Sequence, residues 1–327
     1  MKIVVTGASG FIGSNVISKL NKLGFNDIIA VDNLGKSNKF LNLVDLKISD
    51  YYNKSTFIDK ITTDQLPEID IIFHQGACSS TIEEDGDYMM YNNYSYSKTL
   101  VDYCVNKNIR FIYASSASTY GLKTNFIENP DYEFPLNVYG YSKLAFDNYV
   151  RNLSNKSQVV GLRYFNVYGP RESHKGSMAS VCYHLFHQYK NNRKINLFSE
   201  YDGFMSGEQL RDFIYIEDVV DVNLYFFNNE YINGIYNVGS GNPRTFNDVA
   251  LLTINSILQL ENNVEYNLDQ LLNKKILNYI DFPVNLKGKY QSFTKADLTK
   301  LNSVGYKKKF TSLEDGIYNY VSYLISK

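Results

Sequence analysis

Three side chains near the middle of the chain have the types and order needed to move a proton at a substrate oxygen. Tyr139 and Lys143, within Tyr139-Gly140-Tyr141-Ser142-Lys143, lie four residues apart and share a face if the segment is helical. A phenol with a pKa near ~10 is a poor base at neutral pH. A neighbouring ammonium stabilises the phenolate and brings that pKa toward a useful range. The spacing alone recurs by chance in many proteins. Here it follows Ser115-Ser116-Ala117-Ser118-Thr119-Tyr120-Gly121, which sets the Ser116 hydroxyl at the end of a strand candidate. Ligands of open α/β sheets bind at that carboxyl edge, so Ser116, Tyr139 and Lys143 are expected to meet around one oxygen.

A second group, Thr6-Gly7-Ala8-Ser9-Gly10-Phe11-Ile12-Gly13, follows the first strand candidate and opens a helix pattern. A dinucleotide pyrophosphate needs close backbone approach and the positive end of a helix. Gly7 permits the tight turn, Gly10 lets the backbone reach the phosphates, and Gly13 lets helix and strand pack. Asp32 ends the second strand candidate about 20 residues further on, as the dinucleotide fingerprint requires. Its carboxylate favours a ribose hydroxyl, hence NAD, whereas Lys36 and Lys39 in the next loop can neutralise the 2′-phosphate of NADP.

Later polar segments stand where a packed core would not want them. Asn166-Val167-Tyr168-Gly169-Pro170-Arg171 leads to His174-Lys175-Gly176, and Arg211-Asp212-Phe213 precedes an apolar run. An Arg can grip a diphosphate with two parallel hydrogen bonds, so Arg211 is a candidate for a nucleotide substrate. Its competing explanation is a salt bridge to Glu217 or Asp218. His184 and His187 lack a carboxylate or cysteine companion, so no metal site is expected there.

The elements that must position these groups alternate. Strand candidates cover residues 2–6, 28–31, 69–74, 110–114 and 159–163, and helix candidates cover 11–23, 94–107 and 141–153. Such alternation predicts an α/β fold, a Rossmann-type doubly wound parallel sheet with helices on both faces. A late strand at 235–238 returns to that sheet, and helices at 246–258 and 313–325 belong to a smaller, interleaved C-terminal substrate domain. The division expected is 1–165 plus about 214–245 for the cofactor, and about 166–213 plus 246–327 for the substrate.

The 33 basic and 34 acidic residues nearly cancel, without the basic stripe of a nucleic-acid binder. No apolar run reaches the ~18 residues of a membrane span. The N-terminus is no signal peptide, so a cytoplasmic protein is expected. Cys78, Cys104 and Cys182 are odd in number and scattered, which suits a reducing compartment.

Taken together, the glycine loop, Ser116, Tyr139/Lys143, Asn166–Arg171, Arg211–Val219 and Tyr236–Gly241 resemble the extended nucleotide-sugar branch of the short-chain dehydrogenase/reductases over essentially the whole chain. Four stretches resemble its ADP-L-glycero-D-manno-heptose 6-epimerase family in particular: His74–Thr81, Tyr88–Tyr94, Arg171–Ser180 and Leu286–Gln291. That family inverts C6 of ADP-heptose, a precursor of the lipopolysaccharide inner core. The resemblance implies a tightly held NADP, against the plain reading of Asp32. Its pocket would be lined by Gly7, Gly10, Phe11, Ile12, Gly13, Asp32, Asn33, Lys39, Lys54, Asn92, Lys143, Val167 and Lys175, with the loop Gln75, Gly76, Ala77, Cys78 and Ser79. On the substrate side it implies Asn166, Ser177, His184, Phe198, Ser199, Glu200, Tyr201, Arg211 and Tyr290. It also implies a homo-oligomer, a homopentamer in particular. One departure stands out: the segment between Phe198 and Arg211 is several residues longer than the family pattern.

Inverting C6 needs a hydride taken from one face and returned to the other, so a planar ketone must turn in place. Tyr139 and Lys175 are expected to act as acid and base, one for each orientation, with Lys143 and Ser116 supporting Tyr139. A 4,6-dehydratase is disfavoured because Ala117-Ser118, with no acidic residue, follows Ser116. A 4-epimerase shares the Ser116–Tyr139–Lys143 group but leaves His174-Lys175-Gly176 without a role. A non-catalytic cofactor sensor would have no need of Tyr139 and Lys143.

Overall fold

The computed structural model describes residues 1–154, 157–288 and 290–327; Lys289, within one of the stretches that carry the resemblance, lies outside them. Seven strands form one parallel sheet: β1 (Ile3–Thr6), β2 (Ile28–Asp32), β3 (Asp50–Asn53), β4 (Ile71–His74), β5 (Arg110–Ser116), β6 (Val159–Tyr164) and, from later in the chain, Gly234–Val238. Their spatial order is Gly234–Val238, β6, β5, β4, β1, β2, β3. The fold is therefore the Rossmann-type α/β arrangement expected from the alternation. Central strands buried on both faces read as continuous apolar runs, which is why β1, β2 and β4 were visible in the sequence. The edge strand β3, Asp-Tyr-Tyr-Asn with exposed ends, has no such run and escaped it.

Alternate strand residues point to opposite faces, and the two cores follow that rule. Val5, Phe73 and Ile112 pack with Val16, Ile17 and Leu20 of helix α1 (Phe11–Lys22). Val4, Ile72 and Phe111 pack on the other face with Phe57 of α2 (Lys54–Thr62). A short helix α3 (Gly86–Met89) passes through a π-helical turn, Met90–Ser95, into α4 (Tyr96–Lys107), whose Leu100 and Cys104 join that second face. Helix α5 (Val138–Arg151) adds Phe146 and Val150. It begins three residues before the expected start, because Asn137 caps it by accepting a hydrogen bond from Gly140 N, a favoured N-cap arrangement.

Beyond β6 the chain makes two small parallel pairs. β7 (Asn166–Tyr168) pairs with the later strand Phe213–Tyr215, and β8 (Ile195–Phe198) pairs with Leu277–Ile280. β9 (Leu210–Arg211) runs antiparallel to Arg244–Thr245. Completing the strands in chain order, β10 is Phe213–Tyr215, β11 Gly234–Val238, β12 Arg244–Thr245 and β13 Leu277–Ile280. The remaining helices are α6 (Val181–Asn192), α7 (Ile216–Asn228), α8 (Phe246–Asn262), α9 (Leu268–Asn273), α10 (Thr299–Ser303) and α11 (Leu313–Ile325). Helices α6, α8 and α11 contribute Leu185, Ile254 and Ile317 to the same apolar cluster as α1 and β1. Among the described residues no helix is long and apolar enough to cross a membrane.

Candidate active site

The glycine loop is built for close approach. Gly7 has φ +65°, and a Cβ there would stand 2.6 Å from Gly76 N; one on Gly13 would stand 2.2 Å from Gly7 O. Only glycine satisfies both demands. Gly10 caps α1 without a side-chain hydrogen bond, and the first turn holds no acidic residue. The N–H groups of Phe11, Ile12 and Gly13 are thus left for an outside acceptor at the positive end of the helix, the arrangement that binds phosphate. These residues fit the pyrophosphate of a dinucleotide.

The ribose end is occupied differently from the plain NAD reading. Asp32 accepts from Ser9 N at 2.9 Å and Ser9 Oγ at 2.6 Å through one oxygen. Its other oxygen accepts from Asn33 N at 2.7 Å and Lys39 Nζ at 2.9 Å. The carboxylate is therefore engaged by its own loop and neutralised by Lys39. Lys54 Nζ lies close by, donating to Asn92 Oδ1 at 2.5 Å; burial lowers its pKa, Asp32 pulls it back up and Lys39 pushes it down again. Gly7, Asp32, Asn33, Lys54, Gly76, Ala77, Cys78 and Asn92 line one cleft, joined by Tyr88 and Tyr96, which the sequence reading missed. Gln75 does not line it: its side chain bonds to Asn223 and accepts from Tyr164 OH at 3.0 Å. Ser79 is exposed, and Val167 lines the larger cavity described below.

At the end of β5, Lys143 Nζ donates to Ala114 O at 2.8 Å. Ser118 N and Ser118 Oγ both donate to Ser116 Oγ, at 3.2 and 2.9 Å. The Tyr139 phenol is raised above its ordinary pKa by burial; the Ser116 hydroxyl works in the opposite direction. Lys143 adds no lowering to this phenol in the protein alone. Burial also pulls Lys143 down to about 8, against the pull of Asp147 and Cys78. The protein by itself thus keeps Tyr139 protonated, a state suited to donating a proton.

Beside this group opens a cavity of about 1160 Å³. Asn166, Ser177, His184, Phe198, Arg211 and Tyr290 all line it, as does Lys175. Ser199, Glu200 and Tyr201 do not. Ser199 is held by its backbone, with its N–H on Ile280 O and its carbonyl accepting from Gln209. Tyr201 stacks on Phe282 at 3.9 Å and accepts from Gly288 N. The longer segment turns away after Phe198, and Asn196, Leu197 and Gln209 line the wall instead.

Two cations mark the cavity. Arg211 is buried with its guanidinium 4.6 Å from the Tyr290 ring and 5.7 Å from Phe246. Among the described residues it has no carboxylate partner: Glu217 is exposed and Asp218 accepts from Thr311 N instead. The salt-bridge explanation of Arg211 is thereby excluded. Burial lowers its pKa, so an anion is the natural complement. Lys175 places its ammonium 5.1 Å over the ring of Phe11, at the start of α1. It has no side-chain hydrogen bond among the described residues, and burial lowers its pKa. Its loop is held by Asn42, which donates to Ser9 O, to Arg171 O and, at 3.2 Å, toward His174 Nδ1. Asn42 carried no signal in the sequence, since only the fold brings residues 9, 42 and 171 together.

The pattern of the NAD dependent epimerase/dehydratase family matches residues 3–239. An ADP-L-glycero-D-manno-heptose-6-epimerase of Helicobacter pylori is 31% identical, with 100% of this chain and 96% of that chain covered, at a TM-score of 0.80. A UDP-N-acetylglucosamine 4-epimerase of Methanobrevibacter ruminantium is 25% identical over 99% of this chain and 98% of its own, at 0.81. A UDP-glucose 4-epimerase of Thermotoga maritima is 25% identical over 100% and 99%, at 0.76.

Proposed function

Because this chain belongs to the NAD dependent epimerase/dehydratase family, we propose that it inverts C6 of ADP-D-glycero-D-manno-heptose to the L-glycero epimer, supplying the lipopolysaccharide inner core. The observation that carries this reading is Lys175: a half-buried ammonium with no hydrogen-bond acceptor among the described residues, on the wall of the cavity and against the glycine loop. A 4-epimerase has no use for a second proton-handling group there. The full-length 31% identity to the Helicobacter enzyme agrees.

In this reading residues 1–165 with about 214–245 hold the cofactor, and the remainder holds the substrate. The glycine loop takes the pyrophosphate, while Lys39 and Lys54, balancing Asp32, favour NADP over NAD. When bound, the nicotinamide supplies a hydride acceptor and donor. Arg211 and Tyr290 anchor the diphosphate and nucleotide, so that binding far from the sugar holds the molecule while the heptose turns. Tyr139, kept protonated by burial and supported by Ser116 and Lys143, gives or takes the proton of the C6 oxygen in one orientation. Lys175, its ammonium destabilised by burial, does so in the other. The protein would work in the cytoplasm as a homo-oligomer, a homopentamer by resemblance.

The test is incubation with ADP-D-glycero-D-manno-heptose, without added cofactor, followed by proton NMR. Growth of the L-glycero epimer supports both the substrate and a retained cofactor. No change, even after NADP and then NAD are added, overturns the heptose assignment. The second reading, a UDP-sugar 4-epimerase, draws on the two 25% identical neighbours; UDP-glucose and UDP-N-acetylglucosamine in parallel tubes decide it.

A further inference from the structure

Helix α5 carries Tyr139, Lys143, Asp147 and Arg151 at four-residue intervals, one stripe along its length. The first two face the site. The next, Asp147, is completely buried and saturated. It accepts from Tyr113 OH at 2.9 Å, Ser115 Oγ at 2.9 Å and Arg163 Nε at 2.9 Å. Arg163, itself buried, continues to Glu133 at 2.7 Å, and Glu133 pairs with Arg151 at 2.5 Å. Burying such a chain of charges rarely stabilises a fold more than an apolar core of the same shape would. A reason for it must therefore be sought in what it holds.

Ser115 lies between the two backbone units the site depends on. On one side is Ala114, whose carbonyl holds Lys143 Nζ at 2.8 Å. On the other is Ser116, whose hydroxyl accepts from Ser118 N and Oγ and works to lower the Tyr139 pKa against burial. We propose that Asp147 is the positioning residue of this site: by binding Ser115 it fixes the end of β5 against α5, holding the Ala114 carbonyl at Lys143 and the Ser116 hydroxyl at Tyr139. One turn along α5 from Lys143 and buried with it, Asp147 also sets a negative charge beside the ammonium, which opposes the loss of its proton. The charged and titratable groups around Lys143 are Asp147, Cys78 and His74, and those around Asp147 are Tyr113, Arg163 and Arg151. Of these, Asp147 opposes the effect of burial on Lys143 most strongly. The inference rests on the reading of Tyr139 and Lys143 as the proton-transfer pair.

Two variants separate the positioning from the charge. Asp147→Asn keeps the shape and removes the charge; Ser115→Ala keeps the charge and cuts the tie nearest the end of β5, leaving the one from Tyr113 two residues back. In Asp147→Asn, kcat should fall about ten- to a hundredfold, as small misplacements of reacting groups do, with KM within about threefold of wild type, since the remote ADP contacts that hold the substrate are untouched. The alkaline limb of the kcat–pH profile should move down by about one unit, because Lys143 loses its opposite charge. Ser115→Ala should lower kcat several-fold with that limb in place. In both variants amide exchange across residues 114–118 should quicken. Asp147→Asn at wild-type kcat, or with an unmoved alkaline limb, overturns the inference. If Asp147→Asn does not fold, Ser115→Ala decides alone, and wild-type exchange at 114–118 overturns it. If wild type fails to turn over ADP-heptose, the functional reading falls, while the exchange measurement still settles whether Asp147 holds this strand end.

Discussion

Beside the glycine loop and behind the sheet edge, the buried carboxylates already have their partners from the chain itself, whereas the large cavity presents cations that meet no carboxylate among the described residues. Asp32 is surrounded by Ser9, Asn33 and Lys39, and Asp147 by Tyr113, Ser115 and Arg163. Arg211 and Lys175, in contrast, lie against aromatic rings, and among the described residues neither meets a carboxylate; Arg211 donates only to the Leu210 carbonyl, at 3.1 Å. The sheet side is pre-organised: its geometry exists before anything binds, so no ordering cost falls on the reaction. The cavity side is incomplete: its cations find no counter-charge among the described residues, and an anionic substrate would supply it. A reaction that turns a sugar in place is served by that division, with fixed reacting groups and an anchor at the far end.

The sharpest way to break the comparison is at its fixed centre. Tyr139→Phe should lower kcat by about a thousandfold, within the range for loss of a general acid–base group, with nucleotide-sugar affinity nearly unchanged by calorimetry. A comparable loss of affinity would mean that Tyr139 belongs to the binding side. Lys175→Met should lower the epimerisation rate about a hundredfold and leave the folded protein intact. Wild-type turnover in that variant would end the two-base scheme.

Arg211→Met tests the incomplete side. Affinity for ADP should weaken about ten- to a hundredfold, the worth of hydrogen bonds to a charged group. Thermal stability should not fall, because an uncompensated buried charge is removed. A drop in melting temperature with unchanged ADP affinity would show that Arg211 is structural after all.

The remaining expected effect touches neither turnover nor affinity but stability in acid, and it belongs to the saturated side. His74 is buried, with Thr6 Oγ1 2.6 Å from Nδ1 and Ser97 Oγ 2.8 Å from Nε2. Ser97 Oγ donates to Asn93 O, so His74 Nε2 donates to Ser97 and Nδ1 is left to accept from Thr6. Burial pushes its pKa down to about 3, with Lys143 adding to the effect. The unfolded chain therefore binds this proton more readily. Stability is full above pH ~6.5 and falls as the pH drops toward ~3, by at most about 1.4 kcal/mol per unit from this residue. Denaturant unfolding of wild type and His74→Gln between pH 7 and 4 should show the variant with the shallower slope.

What could be read in the sequence was whatever is local or periodic. The glycine loop is contiguous, Tyr139 and Lys143 share one helix face, and the central strands are unbroken apolar runs. Arg211 was legible because an Arg beside the apolar 213–216 run asks for an explanation. Asn42 and Asp147 were not legible, since their partners lie 129 and 16 residues away and meet them only across strand ends. The surroundings of the Asp32 carboxylate were hidden for the same kind of reason: its type was plain, but its capture by Ser9 and Lys39 depends on how two loops close over it. Ser199, Glu200 and Tyr201 were misplaced because the extra residues after Phe198 turn back on Phe282.

The apolar cluster that begins at Ile3 under the sheet continues without interruption to Val321 in the last helix. A chain whose two halves share one core cannot melt them in turn. Heating or denaturant should carry the glycine loop and the cavity through a single cooperative transition. A fragment ending near residue 165 would expose the β1–α1 face of the sheet to water, and it would be lost to aggregation rather than recovered as a free-standing dinucleotide binder.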